Sequence, residues 1–91
     1  METSQDDLPE LFSEAKWRQL ADRLDLTPRQ LAAARLVCRG CTTEQIAARI
    51  GISSDTARLH LRKLFARLDV HDRVGVVVRL VLADREIGGQ G

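Results

Sequence analysis

Residues 42–68 constrain the chain most, because they write two helices and the turn between them within 27 positions. Thr42 opens the stretch, and Gln45 stands three residues on. That spacing forms a capping box, in which each side chain satisfies a free backbone N–H of the other end. The helix that follows turns Ile46, Ala47 and Ile50 inward and leaves Glu44, Ala48 and Arg49 outward. It ends at Gly51, the residue that adopts a left-handed backbone without steric cost. Ile52 then plugs the turn, and Ser53-Ser54-Asp55 offers side chains able to cap a second helix. Two helices joined by so short a glycine-containing turn cross steeply, which is the geometry of a helix-turn-helix.

The second helix divides into two faces. Ala57, Leu61, Leu64, Phe65 and Leu68 recur at helical spacing and form its inner side. The opposite side carries Ser54, Asp55, Arg58, Leu59, Arg62, Lys63, Ala66 and Arg67. The N-terminal half of such a face is what reaches base edges when a helix enters the major groove of double-stranded DNA. Arg58 and Arg62 lie one turn apart, and each guanidinium can pair bidentately with guanine, an interaction worth roughly 1–3 kcal/mol of discrimination. Leu59, a leucine between arginines on a solvent face, suits a thymine methyl. The plainer alternative is a solvated charged face; the two-helix frame favours DNA.

Further residues at consistent spacing extend the pattern: Leu26-Thr27-Pro28-Arg29, then Gly40, residues 42–47, Ile52-Ser53 with Thr56 and His60, and Leu68-Asp69-Val70 with Arg73. With these, residues 26 to about 83 resemble the LuxR/FixJ/GerE-type DNA-binding domain. The resemblance implies an all-α fold of four helices, the third reading DNA and the fourth making a homodimer, with an extra helical segment before them. It implies DNA contacts from Thr43, Ser54, Thr56, Arg58, Leu59, His60, Arg62 and Lys63, and dimer contacts from Val74, Val77, Val78 and Val81. Five positions depart from the family pattern. Gln30 replaces a glutamate yet still completes a capping box with Thr27. Thr43-Glu44 replaces asparagine-lysine, and Glu44 repels a phosphate where the family holds one. Arg58 replaces lysine, keeping charge and changing its geometry, and Ala57 replaces valine.

The remaining chain reads as follows. Residues 1–25 form an acidic arm and a helix, 26–84 the DNA-binding domain, and 85–91 a flexible tail. The formal charge of +1 hides an asymmetry: the first 14 residues hold five acidic and no basic groups, and the other 77 hold 14 basic and 8 acidic ones. A near-neutral balance therefore does not argue against a polyanionic partner. The arm can fold over the basic face, although a solvated tail is the simpler expectation. Over residues 8–24, Leu8, Leu11, Phe12 and Ala15 cluster on one side and Trp17, Leu20, Ala21 and Leu24 nearly opposite. Either the helix breaks near Ser13, which then caps a second piece, or one helix serves its own domain with one stripe and a protein partner with the other.

A helix is expected from Pro28 to about Arg39, stopping at Gly40, with Ala33, Ala34, Val37 and Cys38 inward and Arg29, Arg35 and Arg39 outward, near flanking phosphates or solvent. Cys38 and Cys41 have the spacing of redox and zinc motifs, but a redox site needs a strand before its helix and zinc needs two more ligands. His60 and His71 are not at ligand spacing, so no metal or cofactor is expected. Asp72 caps a last helix from Arg73 to about Ala83, apolar around most of its circumference, which calls for a second burial surface and hence a dimer. Such a dimer reads inverted half-sites about one helical turn apart.

No stretch is long enough to span a membrane, and the start lacks a signal peptide's basic and apolar regions, so a cytoplasmic protein is expected. No activated serine, carboxylate pair or phosphate loop suggests an enzyme. The expected function is that of a stand-alone transcription regulator. Its alternatives are a sigma-factor region-four-like module and a protein-protein interaction module that docks on another regulator. An alanine at Arg58 separates the last from a DNA reader, since it weakens specific DNA binding and spares association.

Overall fold

A computed structural model of the chain describes residues 10–88. Among them are five helices: α1 (Glu14–Leu24), α2 (Pro28–Cys38), α3 (Thr43–Ile50), α4 (Ser54–Leu68) and α5 (Arg73–Gly88). The all-α class with a helical segment ahead of a four-helix domain is as expected.

The caps read from the sequence are made. Thr27 and Gln30 exchange bonds at the start of α2, as do Thr42 and Gln45 at the start of α3. Ser53 accepts from the Thr56 N–H and begins α4, and the Asp72 carboxylate accepts from the Gly75 N–H at 2.8 Å and begins α5. Ser13 caps α1, accepting from the Lys16 N–H. The helix starts at Glu14 after the Ser13 cap and residues 10–13 are not helical, while Leu8 and Pro9, the start of the expected first piece, lie outside the described residues.

Four helix ends share one device. Asp25, Gly40, Gly51 and Asp69 all have positive φ, between 56° and 82°. In each case the next residue donates back into the helix it has left, as Ile52 does to the Ala47 carbonyl and Val70 to that of Phe65. These reversals satisfy orphan carbonyls and turn the chain sharply. Glycine supplies two of them, and aspartate, which tolerates the left-handed region better than most residues, the other two.

The core gathers Trp17 and Leu20 of α1, Ala33, Ala34 and Val37 of α2, Ile46 of α3, Leu61, Leu64 and Leu68 of α4, and Val76, Leu80 and Ala83 of α5. α4 packs on α2 and α3, and α5 is held against α1, α2 and α4. The α1 stripe of Trp17 and Leu20, with Leu24 beside it, serves its own domain, whereas Leu11 is 46% exposed. Two expectations are corrected, for α5 and for Arg35 and Arg39. α5 continues past Ala83 to Gly88, held to α1 by Lys16–Asp84 and Arg23–Glu86 pairs at 3.0 and 3.1 Å, with Ile87 packed on the core. Cys38 packs partly buried against the core, on the inward face expected of it, and Cys41 is fully buried. Arg35 and Arg39 do not point out to solvent: Arg35 bridges Glu10 at 2.9 Å and Glu14 at 2.8 Å, and Arg39 lies 3.6 Å from Glu10.

Candidate nucleic-acid interface

The α3–turn–α4 unit is fixed from both sides. Behind it, Ala57, Leu61, Leu64 and Leu68 are buried, so the orientation of α4 about its own axis is set by the core. At its edge, the Arg73 guanidinium donates to the Cys41 carbonyl and, at 3.0 Å, to the Thr43 hydroxyl. One side chain of α5 therefore ties down the start of α3. Gly75 allows the same junction to close, because a Cβ there would lie 2.7 Å from Cβ of Val70.

With the back of α4 buried, its front is Asp55, Thr56, Arg58, Leu59, Arg62 and Lys63, all exposed. Leu59 is 43% exposed, outside the core cluster, as its place between arginines suggested. Ser54 and His60 are half-buried on the flanks of the helix and stand back from the front. The Thr56 hydroxyl is 2.9 Å from that of Ser53, inside the cap of α4. Thr43 is also half-buried and has its hydroxyl on Arg73. Of the eight residues singled out for contact, Thr56, Arg58, Leu59, Arg62 and Lys63 form one continuous front, and Ser54, His60 and Thr43 frame it.

Arg58, read from the sequence as an outward arginine suited to guanine, is not a free cation: Nη1 donates to Asp55 Oδ1 at 2.9 Å, and Nη2 lies 3.8 Å from Glu44 Oε2 across the turn. Asp55 stands three residues before Arg58, a helical pairing distance that was readable; the approach of Glu44 needs the crossing of α3 and α4. Arg62 and Lys63 have no ion pair among the described residues. Between α3, α4 and the start of α5 runs an open groove of about 760 Å³, with Arg58, Arg62, Arg73 and His71 on its rim and Phe65 and Leu61 in its floor.

The N-terminal acids gather elsewhere. Glu10 accepts from Trp17 Nε1 at 3.3 Å and from Arg35, whose guanidinium also lies 5.6 Å from the centre of the Trp17 ring. Arg35, through its hydrogen bond and charge, holds the Glu14 carboxyl below its usual range. The same carboxylates raise the Arg35 pKa, first through the Glu14 hydrogen bond. Burial pushes the Cys38 thiol up to about 11, with Glu10 adding to the shift. A thiol so protonated is a poor nucleophile and metal ligand. Among the described residues no group of three or more His, Cys, Asp or Glu side chains is arranged to hold a metal, and no helix is long and apolar enough to cross a membrane.

Two packed helices joined by the short turn at Gly51, the second cationic and solvent-facing, define a helix-turn-helix protein. The chain belongs to the luxR family of bacterial regulatory proteins, whose family model matches residues 24–80. It is 40% identical over 53 residues to a nitrate/nitrite response regulator protein homolog of Haemophilus influenzae, covering 58% of this chain and 26% of that one. It is 41% identical over 58 residues to the HTH-type transcriptional regulator AlkS of Ectopseudomonas oleovorans, covering 64% of this chain and 6% of that one. The two-component response regulator PprB of Pseudomonas aeruginosa is 36% identical over 63 residues, 69% of this chain and 23% of its own. The aligned region thus makes up about a quarter or less of each of these relatives. No solved structure gives a significant match. The family sets the chain apart from sigma-factor region-four modules; α1 lies almost wholly outside the matched segment.

Proposed function

We propose that the chain binds double-stranded DNA sequence-specifically, in the cytoplasm, as the DNA-reading part of a transcription regulator, with the N-terminal half of α4 in the major groove. The observation that carries this is the division of α4. Its apolar face is buried to fix the helix, and its opposite face offers Arg58, Leu59, Arg62 and Lys63 together to solvent. Arg58 and Arg62 suit guanine edges, Leu59 suits a thymine methyl, and Lys63 suits a phosphate. Ser54, Thr56, His60 and Thr43 suit contacts to the DNA backbone around that front.

The partner in this reading is a second copy of the chain. Val74, Val78 and Val81 are 69%, 50% and 37% exposed along one side of α5, with Leu82 at 45% and Val77 half-buried beside them. Two such faces joined by a two-fold axis present two α4 helices to inverted half-sites.

Selection of duplexes from a random pool at moderate salt tests the reading. An inverted repeat, lost with Arg58→Ala, is the expected result. Sequence-independent retention alone overturns it and leaves an interaction module as the better account. Sedimentation of Val78→Glu beside the unsubstituted chain tests the dimer separately: the substitution is expected to leave a folded monomer, and a monomeric unsubstituted chain, free and on DNA, overturns that part.

A further inference from the structure

We infer that Asp55 and Glu44 form a carboxylate clamp on Arg58 that sets how strongly the protein prefers its own sequence over any other DNA. Both acids are positioning residues acting through Arg58. The inference rests on the reading of α4 as the DNA-reading helix.

The geometry is asymmetric. Asp55 holds Nη1 of Arg58 by a hydrogen bond from one turn earlier in the same helix, which selects the direction of the side chain. Glu44 reaches Nη2 from α3 at 3.8 Å, beyond hydrogen-bond length, so its effect is one of charge. The Asp55 and Glu44 side chains are 96% and 68% exposed, and that of Arg58 54%. The clamp therefore stands in water at the front, while Arg62 and Lys63 beside it carry no acid partner among the described residues.

Phosphate and guanine answer such a clamp differently. A phosphate that takes the Arg58 guanidinium must either strip it from two carboxylates or accept two negative charges close to its own. Binding that depends on the backbone alone is thereby penalised. Guanine O6 and N7 carry no net charge, and the edge of the guanidinium away from Asp55 can donate to them while the Asp55 bond stays in place. The clamp discounts sequence-independent binding more than specific binding, and it lowers the side-chain order that Arg58 must gain on meeting its base.

The test compares Glu44→Gln, Asp55→Asn, Asp55→Glu and the Glu44→Gln/Asp55→Asn double variant, each with Arg58 intact and with Arg58→Ala. Affinity is read by fluorescence anisotropy on a duplex selected from the random pool and on an unrelated duplex, and melting by circular dichroism confirms folding. Each neutralised acid is expected to tighten binding to the unrelated duplex roughly two- to fivefold, the scale of an exposed ion pair. Binding to the selected duplex gains less, so the preference falls. Asp55→Glu retains the preference, and in the Arg58→Ala background neutralisation tightens the unrelated duplex by less. Equal gains on both duplexes, or the same gain on the unrelated duplex with and without Arg58, overturn the clamp while the DNA-reading role of α4 stands. An unsubstituted protein that distinguishes no sequence overturns both.

Discussion

Replacing Trp17 by alanine is the sharpest test of whether α1 is part of the domain or an appendage to it. Trp17 lies outside the segment matched by the family, yet its side chain is fully buried. Its ring meets Phe12 edge-on with centroids 5.0 Å apart, and Arg35 flanks it. An aromatic of this size removes about 150–250 Å² from water. At about 25 cal/mol per Å², that burial contributes on the order of 4–6 kcal/mol. Measured truncations of buried Phe and Trp cost about 3–5 kcal/mol, partial collapse of the site accounting for the difference. Against a total stability of about 5–15 kcal/mol for a domain of this kind, such a loss is a large share. It corresponds to a fall in Tm of roughly 15 °C or more, taking about 4–8 °C per kcal/mol at this size. Because Trp17 is the only tryptophan, the melt is followed by far-ultraviolet circular dichroism, with Leu11→Ala as the exposed control, expected to shift Tm by no more than a few degrees. A Trp17→Ala protein melting within a few degrees of the unsubstituted one would refute the docking of α1 and with it the role given to the Glu10–Arg35 cluster.

Three further outcomes follow from named contacts. Gly75→Ala is expected to destabilise by about 1–3 kcal/mol in denaturant melts despite the helix propensity of alanine, because its Cβ meets Cβ of Val70 at 2.7 Å; a stabilised variant would show that the α4–α5 junction gives way easily. The Glu14 pKa is lowered by Arg35, so its contribution is present above the ordinary carboxylate pKa and fades as pH falls through the lowered value. The Tm difference between the unsubstituted chain and Glu14→Gln should therefore be present at neutral pH and shrink as the pH falls below the ordinary carboxylate range; a difference that grows in acid contradicts the assignment. With its thiol pushed up to about 11, Cys38 should react with iodoacetamide at pH 8 far more slowly in the folded chain than in denaturant, and comparable rates would show an activated cysteine.

What the sequence disclosed, and what it withheld, divides along a physical line. Features decided within four residues were legible: both capping boxes, the Ser53 and Asp72 caps, the left-handed Gly51, the helix stop at Gly40, and the buried face of α4. Features decided by one helix meeting another were not. Arg35 reads as an outward residue on α2, and only the arrival of Glu10, Glu14 and Trp17 turns it into the centre of a cluster. Arg73 was visible as part of a motif, but its bonds to Cys41 and Thr43 span about 30 residues. The extra turns of α5 depend on the pairs of Asp84 and Glu86 with α1. Asp25 and Asp69 hid two left-handed turns because aspartate also occurs widely in ordinary turns and caps.

The same line explains where the charge of the molecule is available. The acidic N-terminal segment invites the idea of a shield folded over the DNA-reading front, since it lies at the other pole of the charge distribution. The described part of it, Glu10 and Glu14, is committed instead to Arg35 on α2 and Arg39 at its C-cap. These contacts neutralise cations of the domain body and dock α1 through Trp17, so the acids act as a structural brace at that place. With Arg35 and Arg39 so engaged and Arg58 clamped by its own acids, the cationic groups of the α4 front free of acid partners among the described residues are Arg62 and Lys63. A protein that neutralises few phosphates binds arbitrary DNA weakly and with a shallow salt dependence. Under the proposed reading, a preference for one sequence would rest on base contacts made by Arg58, Leu59 and Arg62, and on doubling those contacts in a dimer through the α5 face, more than on the total charge of the chain.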